Sequence, residues 1–205
     1  MKKSEQTKIN LINAGIELFS KFDYNQVSTR ELTKHANTCL GGLFYHYGSK
    51  EKLYLAVIKH IIINSNLDLI TMYSDDFQNY SIKEMQKYIT ELIILLDNRF
   101  HTNHGICFSN IFQREIINKK ETEASRIISE FVTKIDNAIY HTLLIYYTKT
   151  NLSVNKTRFI MTIIFSILKN PVNRIDTFYQ NQDKSILNNL IDLVLQQKIS
   201  QGETI

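Results

Sequence analysis

Residues 28–53 read STRELTKHANTCLGGLFYHYGSKEKL, and their caps and apolar positions predict two short helices joined by a tight turn. Ser28 and Glu31 form a capping box, in which each side chain bonds the other residue's free backbone N–H, so a helix starts near Thr29. Leu32 and Ala36 share one face of that helix. Asn37 stands where the chain must turn, and Asn tolerates left-handed backbone better than most residues. A second helix is expected over about residues 39–46, with Leu43 and Tyr47 turned inward. Gly48 stops it and Ser49 caps the next one. Helix, turn, helix is a shape that enters the major groove of double-stranded DNA.

Upstream, Ile9, Ile12, Ile16 and Phe19 repeat at three and four, which predicts a supporting helix over about residues 4–22. Downstream, Leu53, Ala56, Val57, His60 and Ile61 form one face of a long fourth helix, expected to run from Ser49 to about Tyr73. Residues 74–80 read as a loop. Ser81 with Glu84 is a second capping box, opening a fifth helix that ends near Arg99. Residues 101–105 read as a turn or loop, and further helices are expected over about 106–118, 121–147, 153–170 and 183–199. One Pro and six Gly in 205 residues leave few β-turns, and 43% apolar residues supply a sizeable core. The fold class is therefore all-α: an N-terminal three-helix helix-turn-helix domain at 1–50 and a C-terminal helical bundle at 51–205.

The net charge is +4, and its placement matters more than its size. Residues 1–60 hold nine Lys or Arg and five Asp or Glu; the remainder holds fifteen of each. A basic head on a neutral body suits a nucleic-acid partner, although an excess this small also arises by ordinary scatter. Cys39 and Cys107 are too far apart in sequence to suggest a disulfide framework. MKKSEQTK is followed by an amphipathic pattern rather than an apolar run, and the densest apolar stretch, 159–168, is too short to span a bilayer. A cytoplasmic protein with no membrane partner is expected. No Ser-His-Asp arrangement, phosphate loop or carboxylate pair has a recognisable setting, so no enzyme is expected. His101, His104 and Cys107 are metal-capable but lack a fourth ligand nearby; they read as loop histidines and a buried cysteine, with no metal or cofactor.

Ala14, Leu18, Phe19, Tyr24, Val27, Thr29, Leu32, Ala36, Gly41, Leu43, Tyr45, Ser49, Lys50, Glu51 and Leu53 form a pattern that resembles the TetR family of bacterial transcriptional regulators. The resemblance covers about residues 8–60. The run Tyr-His-Tyr-Gly-Ser-Lys-Glu at 45–51 is most similar to the CecR-like branch, and Gln113-Arg114-Glu115 resembles that branch's regulatory domain. The chain departs from the family at Asp23, where Gly is usual, at Asn37-Thr38, where Gly-Val is usual, and at Cys39 and Phe44. The resemblance implies DNA contacts from Thr29, Phe44, Tyr45, His46 and Lys50. It also implies a small-molecule pocket among the fifth to eighth helices, and dimerisation through the last two.

The residues themselves bear on these contacts. Thr29 and Arg30 open a helix, where free N–H groups favour a phosphate; Arg30 is either such a contact or a solvated charge. Cys39, Leu40, Gly41, Gly42 and Phe44 cannot make bidentate hydrogen bonds to base edges, which points to reading of thymine methyls and groove shape. The adjacent glycines each cost a helix roughly 1 kcal/mol relative to Ala, and they let the backbone approach DNA closely. Tyr45 and His46 can donate to phosphate oxygens, or Tyr45 can fill a core. Lys50 follows the capping Ser49, so its charge and the helix N-terminus can act on one phosphate. The expected DNA-binding set is Thr29, Arg30, Cys39, Leu40, Gly41, Phe44, Tyr45, His46 and Lys50.

The expected ligand-binding set is Phe100, His104, Phe108, Phe112, Arg114, Tyr140 and His141, aromatic and polar residues that either line a pocket or fill a core. Residues 159–165 are apolar nearly all round, and Leu187, Leu190, Ile191 and Val194 make a stripe. Two copies of 153–170 and 183–199 would cover both in a homodimer, although both helices could also pack inside one monomer. The function expected is a ligand-responsive repressor on a palindromic operator, released by a small, largely apolar effector. The alternatives are an activator, or a helical interaction module without specific DNA binding.

Overall fold

In a computed structural model of the chain, the described residues are 3–65, 79–100, 102–118 and 121–150, and among them every regular element is an α-helix. These are α1 (Lys3–Lys21), α2 (Thr29–His35), α3 (Leu40–Tyr47), α4 (Lys50–Ser65), α5 (Ile82–Phe100), α6 (Asn103–Asn118) and α7 (Glu123–Thr150). Residues 66–78 and 151–205, which contain the remainder of the expected fourth helix and the expected helices at 153–170 and 183–199, lie outside the described residues.

Capping chemistry sets most of the helix starts. The Ser28 backbone N–H donates to Glu31 Oε2 at 2.7 Å, and the Glu31 N–H donates to Ser28 Oγ at 3.1 Å. The same box recurs between Ser81 and Glu84 at the head of α5. Ser49 Oγ accepts from the Lys52 N–H at 3.1 Å and starts α4. Thr102 Oγ1 accepts from the Gly105 N–H at 3.1 Å, so α6 starts at Asn103 rather than near Ile106. Residues 103–105 are therefore helical, and His104 is a helix residue rather than a loop histidine. Thr122 and Ser125 cap α7 reciprocally, and that helix continues to Thr150, beyond the expected Tyr147.

The described residues fall into two units. The first comprises residues 3–65, 98–100, 102–118 and 121–138, and in it α1 packs against α2, α3, α4 and α6, while α4 packs against α6. Leu11, Leu32, Leu43, Leu53, Val57 and Ile61 are fully buried there. Burying such a side chain is worth about 1.5–3 kcal/mol, so this shared core dominates the stability of the short α2 and α3. Gly15 marks a close approach of α1 to α4: a Cβ there would meet Val57 Cγ2 at 2.5 Å. The expected α1 stripe is rotated. Leu11, Ile12, Ala14, Leu18 and Phe19 are buried, whereas Ile9 is 43% exposed, because α1 is packed by α2 and α3 as well as by α4 and α6.

The second unit comprises, among the described residues, 79–97 and 139–150. Among its described residues Met85, Ile89, Leu92, Ile139, Leu143 and Tyr146 are buried. Gln86 Nε2 donates to Tyr146 Oη at 3.0 Å, tying α5 to the second half of α7. No helix among the described residues is long and apolar enough to cross a membrane.

Candidate nucleic-acid interface

The turn between α2 and α3 is a Schellman motif built on Asn37. Asn37 takes φ 49°, its N–H donates to Lys34 O at 3.2 Å, and the Thr38 N–H donates to Thr33 O at 2.9 Å. An Asn fills the place that glycine usually takes, because its short polar side chain lowers the cost of left-handed backbone. Asn10 Nδ2 of α1 reaches Ala36 O at 3.4 Å and braces the same turn.

The frame that results turns α3 outward in a defined register. Leu43 is fully buried, while Leu40, Phe44 and Tyr45 are 43%, 47% and 81% exposed. Cys39 and Gly41 lie on the exposed side as well, and His46 is half-buried with its ring 5.0 Å from that of Tyr45, edge to face. Tyr47 is half-buried, and its hydroxyl donates to Lys8 O at 3.1 Å, holding the end of α3 on α1. Gly48 closes α3 with φ 76°, where a side chain would be strained.

The two glycines differ. A Cβ at Gly42 would lie 2.7 Å from Thr38 Oγ1, so a side chain there requires Thr38 to shift. A Cβ at Gly41 would meet only Cys39 Sγ at 3.8 Å, so the fold makes no use of that one. On α2, Arg30 is exposed and Thr29 half-buried at the helix start. The Glu31 carboxyl in that turn is held below its usual range by the Ser28 backbone and side-chain hydrogen bonds.

Lys50 is engaged inside the head. Its Nζ donates to Tyr24 O at 2.9 Å and Val27 O at 3.0 Å, and lies 4.0 Å from the centroid of the Tyr24 ring. Burial lowers its pKa. Two of its three N–H donors thus hold the loop between α1 and α2, which leaves one for a phosphate. Tyr24 also contacts Phe19 and Tyr54, with ring centroids 6.1 and 5.0 Å away. This aromatic group under Lys50 had no local signature in the sequence.

The expected ligand-binding residues are distributed between the two units. Phe108 is buried against Phe112 and Phe131, with centroids 6.1 and 5.4 Å away, as core packing. His104 is half-buried, 6.0 Å from the His60 ring. The guanidinium of Arg114 is taken up by backbone carbonyls at the end of α1. Tyr140 and His141 are exposed on α7, in the second unit. The side chain of Phe100, and His101 altogether, lie outside the described residues. Among the described residues no group of three or more His, Cys, Asp or Glu could hold a metal ion.

Residues 11–57 match the family described as bacterial regulatory proteins, tetR family. The chain is 24% identical over 196 residues to the biofilm operon icaADBC HTH-type negative transcriptional regulator IcaR of Staphylococcus epidermidis, covering 88% of this chain and 97% of that protein. It is 28% identical over 93 residues to IcaR of Staphylococcus aureus strain Newman, covering 45% of this chain and 49% of that protein. Among solved structures, a tetR-family regulatory protein from Rhodococcus RHA1 superimposes with TM-score 0.71 at 17% identity, covering 96% of this chain and 97% of that one. HlyIIR, a hemolysin II transcriptional regulator, superimposes with TM-score 0.64 at 20% identity, covering 95% and 97%. At these identities the structural likeness establishes a shared fold. The head, matched over residues 11–57 and built as an exposed helix-turn-helix, is thus similar to the N-terminal domain of the tetR family of bacterial regulatory proteins.

Proposed function

We propose that this protein is a DNA-binding transcriptional repressor that acts as a homodimer on a palindromic operator. The observation that carries the reading is the register of α3, which buries Leu43 and turns Leu40, Gly41, Phe44 and Tyr45 outward from a firmly braced helix-turn-helix. Residues 1–50 serve as the reading head and 51–205 as the ligand-binding and dimerisation body. Arg30, the start of α2, Tyr45, His46 and the remaining Lys50 donor contact phosphates, while Cys39, Leu40, Gly41 and Phe44 meet the groove floor. Recognition heads of two subunits enter grooves roughly 34 Å apart. The dimer forms through 153–170 and 183–199, and a small, largely apolar effector in the body releases the DNA. The protein works in the cytoplasm and catalyses no reaction. Repression, rather than activation, is favoured by the likeness to relatives named as negative regulators.

The test is fluorescence anisotropy on DNA upstream of the protein's own gene and on sequences selected from a random pool, titrated over salt with scrambled competitor. Sequence-preferring binding with a steep salt slope is expected, because phosphate contacts release counterions. Tyr45→Ala should weaken it by about tenfold, the loss of about 1.4 kcal/mol of contact. A second reading, a helical interaction module, is favoured by the apolar Leu40 and Phe44 on α3. Selection from the random pool that yields no preferred sequence would establish that reading instead.

A further inference from the structure

The C-terminal end of α1 is closed by a side chain that lies more than ninety residues downstream in the chain. Arg114 of α6 donates from Nη1 to Phe19 O at 2.8 Å and Phe22 O at 3.3 Å, and from Nη2 to Ser20 O at 2.9 Å. Its Nε lies 3.6 Å from Asp23 Oδ1. The last carbonyls of a helix carry partial negative charge and have no partners within the helix, so a guanidinium fork there neutralises the charge and satisfies the acceptors together. The next residue faces α4. Tyr54 Oη donates to Glu115 Oε1 at 2.7 Å, and Glu115 Oε2 accepts from Thr122 Oγ1 at 3.2 Å, just before α7. Tyr54 in turn packs edge-on to Phe19, centroids 4.7 Å apart, and against Tyr24, the residue whose carbonyl and ring hold Lys50. Two adjacent residues of α6 therefore grip α1, α4 and the entry to α7, and α1 is the support on which α2 and α3 ride.

We infer that Arg114 and Glu115 are positioning residues for DNA binding: they clamp α1 and α4 to α6 and so set the pose of the recognition helix without touching DNA. A displacement of α6 would be felt directly at the residue 19–27 segment, where the head's first helix ends and the loop gripped by Lys50 begins. The inference rests on the DNA-binding reading for its consequence and on the hydrogen bonds for its mechanism.

The test uses the full-length protein with Arg114→Ala, Arg114→Lys and Tyr54→Phe, and with Ile128→Val as a control for mild destabilisation elsewhere in the same unit. Each is measured for affinity and salt slope on the selected DNA, and for backbone hydrogen exchange over residues 19–27. Arg114→Ala is expected to bind about tenfold more weakly. Its salt slope should stay unchanged, and residues 19–27 should exchange faster than in the control. Arg114→Lys should recover part of both, since one ammonium can serve some of the carbonyls. Tyr54→Phe, which keeps the ring packing, should show a smaller effect of the same kind. A salt slope lowered by about one would overturn the inference by making Arg114 a phosphate contact. Unchanged exchange at 19–27 would also overturn it. If the parent protein selects no DNA sequence, the functional reading fails, and the exchange measurement alone still decides whether the clamp exists.

Discussion

Gly41 and Gly42 look alike in the sequence and do different things in the fold. Gly42→Ala drives a Cβ against Thr38 Oγ1 and should lower stability by shifting the start of α3. Gly41→Ala meets only Cys39 Sγ, at an ordinary contact distance of 3.8 Å. It should raise stability by up to roughly 1 kcal/mol through helix propensity, while weakening DNA binding, because the added methyl stands between backbone and groove. Thermal melting and anisotropy on both variants check this; equal DNA affinity in Gly41→Ala would remove that residue from the interface. A different single-atom effect sits in α6. Ser109 is 2% exposed, and its Oγ is the buried side-chain oxygen without a hydrogen-bond partner among the described residues. A buried hydroxyl without a partner costs stability, so Ser109→Ala should stabilise by about 1 kcal/mol in urea denaturation.

At the scale of elements, α2 has seven residues and α3 eight, too short to persist without caps and a shared core. Ser28→Ala removes one half of the capping box and should cost about 1 kcal/mol, read as a lower denaturation midpoint. The Glu31 half of the box has a pH signature. Its folded pKa is lowered, so its contribution is present above the ordinary value of 4.5 and fades as pH falls through the folded value. The α4–α6 contact has another. Burial first, and the facing His104 second, lower the pKa of His60 below 6.5. The unfolded chain then binds a proton at His60 more readily than the folded one, so stability falls as pH drops through about 6.5 towards the folded value. His60→Gln should flatten that part of the profile of melting temperature against pH. A profile with the same slope in parent and variant would assign the loss to other groups.

On the scale of the whole molecule, the proposed assembly depends on residues 153–170 and 183–199. Leu190 belongs to the expected apolar stripe of the last helix. Leu190→Asp should give a monomer by light scattering and lose operator binding, because one head alone contacts half of a two-fold site. A dimer that survives this substitution would place the interface elsewhere. In the parent protein, affinity should fall steeply with salt, since the basic excess lies within the first 60 residues.

Local chemistry accounts for what the amino-acid order alone made legible. The capping boxes at Ser28 and Ser81, the left-handed Asn37, the stop at Gly48 and the buried Leu32, Leu43 and Leu53 all depend on residues within four positions of one another. Such short spacings determined the head, the all-α class and the family pattern. The α6 start at Asn103 was legible in principle, since Thr102 is a capping residue, but its signal is a single hydroxyl. The engagement of Lys50 with Tyr24 and Val27, the rotation of the α1 stripe and the grip of Arg114 on Phe19, Ser20 and Phe22 were not legible. Each joins groups more than twenty residues apart, or depends on how many helices surround one helix. A side chain long and charged enough to reach DNA is equally suited to reach a buried carbonyl, and only the packing of α1 against α4 and α6 selects between them.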